Sequence, residues 1–377
     1  MSSSSRIQSV DYLRGLVMIL MAIDHVRVYS GVPAESAEVA YFFTRWITHF
    51  CAPAFVFFAG TSAYLYGTKT NKSELTKFLL TRGLILVVLE LTVIRFLWAF
   101  HVSTDFILMG VIWMLGWCMI LLTLFIRLSP RVIGNLGILI IFSQTLFLSV
   151  PRVLPETWQA GFERYWKFIY AEGYPSFDGI NILYVIVPWI GVMAAGYAFG
   201  SILQMDEQQK KKYCFNIGAT LTILFPLLAM FTYTQYSEKG LPFFLGILQQ
   251  EKYPPSIIFL MMTLGPIILL VPYADRAKGW LRDVFVTIGK VPFFYYLLHI
   301  LVIHLSALVV NYFRVGEITH DWYLTAPYTW FEDQKNVWPL PLLYFIFLID
   351  VVVLYFACKW YGKFKSKHPE NRLLRYI

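Results

Sequence analysis

The sequence predicts an all-α polytopic integral membrane bundle of about ten spans with both termini cytoplasmic, and three observations carry that prediction. Of the 377 residues, 58% are apolar and only 14% are charged, with a mean hydropathy of +0.60. That composition excludes a soluble globular enzyme and a disordered chain. Apolar runs of about 18 or more residues recur along the whole length, and ten helices of about 20 to 25 residues use roughly 200 to 250 positions, so no soluble domain is left over. Finally, Lys and Arg fall on alternate loops, which is the positive-inside pattern.

The runs place spans near 9–30, 38–67, 76–99, 104–127, 132–150, 181–204, 213–234, 255–273, 286–312 and 340–362. The first is not a cleavable signal peptide, because it contains Asp24, His25 and Arg27 and no small-residue cleavage site follows. Ten spans put both termini on one side. The segments read as cytoplasmic hold 19 of the 31 Lys and Arg residues, from Arg6, Lys69 and Lys72 through Lys210 to Lys212 and the run from Lys359 to Arg375. The opposite face holds ten, and Arg14 and Arg82 lie inside spans. The whole chain, 1–377, reads as a single transmembrane domain with a disordered tip over 1–8, which contains a run of Ser, and a basic cytoplasmic tail over 364–377. The longer outer loops, near 151–180, 235–254 and 313–339, are rich in Trp, Tyr and Pro. They read as interfacial aromatic belts, with an acceptor-binding surface as the alternative.

The net charge of +8 and pI near 9.1 follow from basic residues at span ends, so membrane lipids are the expected partners and nucleic acid is not. Cys51, Cys118, Cys214 and Cys358 are far apart and sit in apolar segments, so neither a disulfide framework nor a metal site is expected.

Each charge within a bilayer costs roughly 2.5 to 3.5 kcal/mol even on the lenient insertion scale, so it asks for a partner or a role. In the first span Asp11, Arg14, Met18, Met21 and His25 fall within about 60° of one another at 100° per residue. Arg14 lies near the cytoplasmic end of this stripe, and His25 lies about 16 Å further along, near the outer end. Asp24 is about 100° round the helix from His25 and reaches the imidazole by a bent approach or through water.

In the second span Trp46 marks the interface and His49 sits near the depth of His25. Two imidazoles at one level make a candidate acid/base centre, since His titrates near working pH. The plain alternative is that each is an interior His bonded to a backbone carbonyl. Pro53 frees a carbonyl four residues earlier and kinks the helix there. Arg82 lies on the cytoplasmic side of the third span and Glu90 deeper. Glu90 is expected to neutralise Arg95 or Arg45, or to serve a His. His299 and His304, five apart, are about 140° apart on a helix, so at most one faces the centre. Asp350 reads as structural.

The stretch SVDYLRGLVMILMAIDH (Ser9 to His25) resembles the first helix of the heparan-alpha-glucosaminide N-acetyltransferase-like family, in which Asp, three residues and then Arg-Gly open an apolar helix. THFCAPAFVFFAGTSAYL (Thr48 to Leu65) resembles its second helix, and PWIGVMAAGYAFG (Pro188 to Gly200) and GKVPFFYYLLHILVIH (Gly289 to His304) resemble later segments. More distantly, the Arg14-to-His25 interval resembles that of bacterial membrane glycan O-acyltransferases, whose first-helix His is the catalytic candidate. Two positions depart from the pattern: relatives carry Asp where this chain has His49, and the animal lysosomal enzymes have Asn at the position of His25 and a His in the following loop, which here has none.

The resemblance implies a transmembrane acyltransferase of a bacterial inner (plasma) membrane. It would move an acetyl group from cytoplasmic acetyl-CoA to an amine or hydroxyl of a sugar or glycan at the outer face. On that reading His25 is catalytic, as base or acyl carrier, with His49 and Asp24 beside it. Arg14 and Arg82 hold the donor's phosphates, and Glu90, His299 and Tyr296 contact the acceptor. A homo-oligomer is compatible with all of this. The competing reading is a proton-coupled transporter or flippase of a sugar or lipid, in which the same ionisable residues form a relay.

Overall fold

The computed structural model describes residues 7–34, 36, 38–233, 241–329, 331, 333–371 and 374. Most of the N-terminal tip, part of the 235–254 loop and part of the C-terminal tail therefore lie outside the described residues. The fold is mostly helical. Its helices are α1 (Gln8–Tyr29), α2 (Val39–Trp46), α3 (Cys51–Gly67), α4 (Lys72–Leu89), α5 (Arg95–Ala99), α6 (Val111–Leu122), α7 (Pro130–Phe142), α8 (Glu156–Trp166), α9 (Trp189–Ile202), α10 (Glu207–Thr232), α11 (Phe243–Leu248), α12 (Ile257–Arg276), α13 (Trp280–Gly289), α14 (Pro292–Val315) and α15 (Leu340–Lys367).

Among the described residues, five helical stretches are long and apolar enough to cross a membrane: Val39–Gly67, α10, α12, α14 and α15. α6, α7 and α9 are apolar but shorter. α10 and α15 leave most of their apolar surface uncovered by protein, including Phe231 and Phe356, as helices solvated by lipid do. α1 is the central element. It packs against α3, α12, α13, α14 and α15, and Leu13, Val17, Met18, Ala22 and Val26 on it are fully buried.

Several sequence expectations are corrected. The 38–67 span is not one helix: a 3-10 turn over Ile47–Phe50 separates α2 from α3. Pro53 then falls in the first turn of α3, where a proline is tolerated. The helix expected from 104 starts at Val111, and that expected from 181 starts at Trp189. The intervening residues form a small sheet that the all-α reading did not contain. Its strands are β1 (Ile107–Met109), β2 (Ser176–Phe177) and β3 (Ile180–Ile182), with β1 parallel and β2 antiparallel to the central β3. These apolar residues satisfy their backbone by pairing across loops, which a single-segment reading of hydropathy does not see. The span expected over 286–312 is broken before Pro292, which starts α14. The preceding α13 packs against α1 instead.

Connections gather at two ends. At the end where α1 begins, Gln8 donates to the carbonyl of Ala277 at 3.3 Å, Lys210 pairs with Asp275 at 2.5 Å and Gln204 donates to Thr68 at 3.2 Å. The described residues of loops 30–38, 100–110, 167–188 and 316–339 meet at the end where α1 finishes. There the Trp338 N–H donates to the Ser30 carbonyl at 2.9 Å and the Tyr323 hydroxyl to the Tyr29 carbonyl at 2.9 Å. A buried chain from Trp338 to Asn311 (3.2 Å) and from Asn311 to Tyr323 (2.6 Å) fastens this junction.

Helices come close through glycine. A Cβ at Gly60 would collide with the Met193 carbonyl, and one at Gly196 with the Phe57 carbonyl, so α3 and α9 touch backbone to backbone. Small residues at such contacts let dispersion and weak C–H contacts hold helices where lipid removes the hydrophobic drive. Gly196→Leu should therefore lower the thermal unfolding midpoint of the detergent-solubilised protein, as overpacking by about 1 to 3 kcal/mol does. Gly362→Leu, at a position with open space around it, should leave the midpoint within about a degree. Equal midpoints for both variants would contradict this packing.

Candidate active site

At the end where α1 finishes, the bundle opens into a cavity of about 820 Å³, a size that takes a ligand of several rings. α1 supplies Met21, Asp24, His25 and Val28, α14 supplies Tyr296, and the start of α3 supplies Cys51, Ala52 and Phe55. Leu108, Asn181 and Ile182 of the small sheet form another wall, and Tyr174, Tyr184, Lys252, Tyr253 and Tyr328 come from the loops.

His25 is half-buried on the cavity wall. Its Nδ1 lies 2.6 Å from Nε2 of His299, which is fully buried on α14. The Nδ1 of His299 lies 2.5 Å from the carbonyl oxygen of Tyr296 and 3.1 Å from that of Tyr295. A carbonyl only accepts, so the proton of His299 sits on Nδ1 and its Nε2 is an acceptor. His25 must then donate from Nδ1, and its Nε2 carries the lone pair. The fold thus sets both tautomers from one backbone carbonyl. A sequence reading that treated α1 and α14 separately had no means of pairing the two residues.

Glu90 is buried on the same wall and is corrected in its partner. It occupies a π-helical turn over Glu90–Ile94, an irregularity that turns one side chain out of the regular ladder. Its Oε2 accepts from the N–H groups of Ile112 at 3.1 Å and Trp113 at 3.2 Å, so it neutralises the N-terminus of α6 rather than an arginine. Among the described residues no ion pair joins Glu90 to Arg95 or Arg45. Arg45 donates to the Ala34 carbonyl at 2.7 Å.

Two other expectations are also corrected. Asp24 lines the cavity but accepts from Arg27 Nε at 2.8 Å, one helical turn away, rather than orienting His25. His49 is buried against the ring of Phe259 at 5.5 Å, and its Nδ1 has no partner among the described residues. It neither lines the cavity nor meets His25, because the 3-10 turn that carries it rotates it away.

Arg14 donates to the Phe58 carbonyl at 2.6 Å and the Ser62 hydroxyl at 2.7 Å, and Arg82 lies over the Phe78 ring at 5.9 Å. Both are off the cavity wall. Of the α14 pair, only His299 faces the centre. His304 donates from Nδ1 to the Leu97 carbonyl at 3.0 Å and stacks on Phe100 at 3.8 Å. Asp350 accepts from Ser306 at 2.7 Å and ties α15 to α14.

Outer-loop aromatics line the cavity, which the belt reading did not place there. Tyr174 lies 5.2 Å from Tyr253 and 6.1 Å from Tyr328, and Tyr184 lies 5.3 Å from Tyr253, ring centre to ring centre. Burial pushes the Tyr328 phenol above its ordinary range, which keeps it a donor. Four tyrosines in three loops, with Lys252 among them, were the available signal.

Fold and site together define a multi-pass helical membrane protein with a chamber lined by His25. Residues 6–231 match the family described as Heparan-alpha-glucosaminide N-acetyltransferase, catalytic. The chain belongs to that family of transmembrane acetyltransferases. The matched residues include Arg14, His25 and Glu90 and end before α14, which carries Tyr296 and His299. Among the curated proteins none matches the chain.

Glu90→Leu leaves two N–H groups of α6 without an acceptor and should destabilise the protein by about 1 to 3 kcal/mol. Glu90→Gln keeps an acceptor oxygen and should lose less. Thermal unfolding compares them, and a Glu90→Leu variant as stable as wild type would remove the capping role.

Proposed function

We propose that this chain transfers an acetyl group from acetyl-CoA to an amine or hydroxyl of a sugar or glycan held in the cavity, with His25 as general base. The reading takes the basic end, where α1 begins, as cytoplasmic, with both termini there, and the His25 end as outer. The observation that supports it is the hydrogen-bonded line from the Tyr296 carbonyl through His299 to His25, which leaves an unprotonated nitrogen on the residue lining the chamber. Family membership supplies the reaction class.

On this reading His25 Nε2 takes the proton from the acceptor's hydroxyl or amine as that atom attacks the thioester carbonyl. The C–S bond breaks, and the proton on His25 passes to the departing thiolate. His299 stabilises the transient imidazolium by accepting from its Nδ1–H throughout, so the charge is held without a second proton transfer. Arg14 and Arg82 remain our proposed contacts for the donor's phosphates, since guanidinium groups pair with phosphate in two-point geometry.

His25→Ala should lower transfer of labelled acetyl from acetyl-CoA by a factor on the order of 100 to 10,000, the range for a positioned acid/base, in protein that still folds and unfolds cooperatively. His49→Asp should remain active, because His49 stands off the chamber. Near-normal turnover by His25→Ala, or substrate uptake with no acetylated product, would overturn the reading. For the orientation, a single cysteine placed at Lys211 should label from the cytoplasm and one at Glu163 from outside. Labelling of both from one side would reject it.

A further inference from the structure

A further groove lies at the end where α1 begins, between the start of α4 and the residues that follow α6. It encloses about 400 Å³ and is lined by Lys72, Lys77 and Arg127 and by the hydroxyl residues Ser73, Thr76 and Thr81, with no carboxylate on its wall. Among the described residues none of the three cations is paired with a carboxylate, and Lys72 donates to the neutral carbonyl of Ile126. At the same end Lys210 and Arg276 each have a carboxylate partner, Asp275 and Glu207.

One face of α4 continues the groove along the bundle. Ser73, Thr76, Lys77, Leu80, Leu84 and Val88 recur at intervals of three and four residues and so share a side of the helix. The polar residues of this stripe give way to apolar ones at Leu80. Leu80, Leu84 and Val88 are exposed, as are Leu124 and Leu128 on either side of Arg127. From Lys77 to Val88 the helix rises about 16 Å, which is close to half of the roughly 30 Å hydrocarbon core. The stripe therefore has the length and the polarity of a single leaflet.

We propose that this groove binds an anionic glycerophospholipid of the leaflet at this end. Lys77 and Arg127 hold its phosphate, with Lys72 and the hydroxyls around them, and an acyl chain lies along Leu80, Leu84 and Val88. Basic pockets between membrane helices recognise such headgroups. Three cations with no carboxylate beside them repel the ammonium of a zwitterionic headgroup, so net charge is read as well as phosphate. A soluble phosphate or nucleotide would satisfy the cations but leave the apolar stripe uncovered. The site also has a structural consequence. α4 and α6 touch backbone to backbone at Gly83 and Gly116, and Glu90 joins their far ends at the chamber. A lipid that holds their near ends clamps the helix pair behind that wall.

Native mass spectrometry of the detergent-purified protein, paired with thermal unfolding, tests this. The probes are phosphatidylglycerol and phosphatidylcholine with identical chains, glycerol 1-phosphate and CoA. The tightest-bound lipid should be phosphatidylglycerol, at least 5-fold over phosphatidylcholine, and it alone of the two should raise the unfolding midpoint. In Lys77→Gln/Arg127→Gln its affinity should fall about 10-fold or more, since each cation near the phosphate accounts for roughly fivefold, while phosphatidylcholine binding stays as it was. Lys211→Gln/Lys212→Gln removes the same charge from the same end but outside the groove, and should keep the tight site. Leu84→Asn should weaken the lipid with all cations in place. Equal binding of the two lipids by wild-type protein would overturn the proposal, as would folded Lys77→Gln/Arg127→Gln protein that retains the preference. An equal loss in Lys211→Gln/Lys212→Gln would also overturn it, by reducing the effect to general surface charge. Stabilisation by glycerol 1-phosphate or CoA that depends on Lys77 and Arg127, with no response to lipid, would give the groove to a soluble phosphate instead.

Discussion

A neutral imidazole offers one donor and one acceptor, and in a bundle bathed by lipid neither can be left to water. Two histidines joined directly therefore require a fixed order of protons, which some other group must set. Here that group is the Tyr296 carbonyl, and the order runs from it through His299 to His25. The rest of the molecule keeps α1 and α14 in the register this line demands. α13 holds one side of α1, where a side chain at Gly15 would collide with the Phe285 carbonyl. The Trp338–Asn311–Tyr323 chain locks the far end of α1 to α14 and to the loop that follows it.

The loops at that end have an architectural role as well as a chemical one. Strand β3 pairs with β1 across a large sequence interval and brings Asn181 and Ile182 onto the cavity wall. Glu90 uses the π-helical turn to reach the start of α6 and sets the level at which that short helix begins. A chamber of this size at one end of the bundle is possible because α6 and α9 begin late, leaving their first turns' worth of space to loops and rings.

Most of this was legible as helices and little of it as contacts. Hydropathy located a helix within each expected span, because apolar runs of that length have no other stable use. It misplaced the starts of α6 and α9, since apolar strand residues and apolar helix residues look alike over three or four positions. His25 stood out because a lone charge-capable residue on an apolar face asks for a reason. His299 was placed among the acceptor contacts rather than beside His25, as periodicity fixes the face of one helix and says nothing of which helix it meets. His49 and Asp24 were read by depth and angle on ideal helices, and a 3-10 turn and a local Arg27 pair displaced those readings. Lys252 was hidden among loop residues whose composition resembles any aromatic belt.

The central claim is the proton order in the two imidazoles, and nitrogen NMR reads it directly. With 15N-labelled histidine in lipid-reconstituted protein, and His25→Asn and His299→Asn variants to assign the signals, each ring nitrogen reports whether it bears hydrogen. The account predicts, near neutral pH, a protonated Nδ1 and bare Nε2 on both residues, with the His25 Nδ1–H coupled across the hydrogen bond to His299 Nε2. A His25 ring protonated on Nε2 with a bare Nδ1, or the absence of any coupling between the two rings, would contradict it.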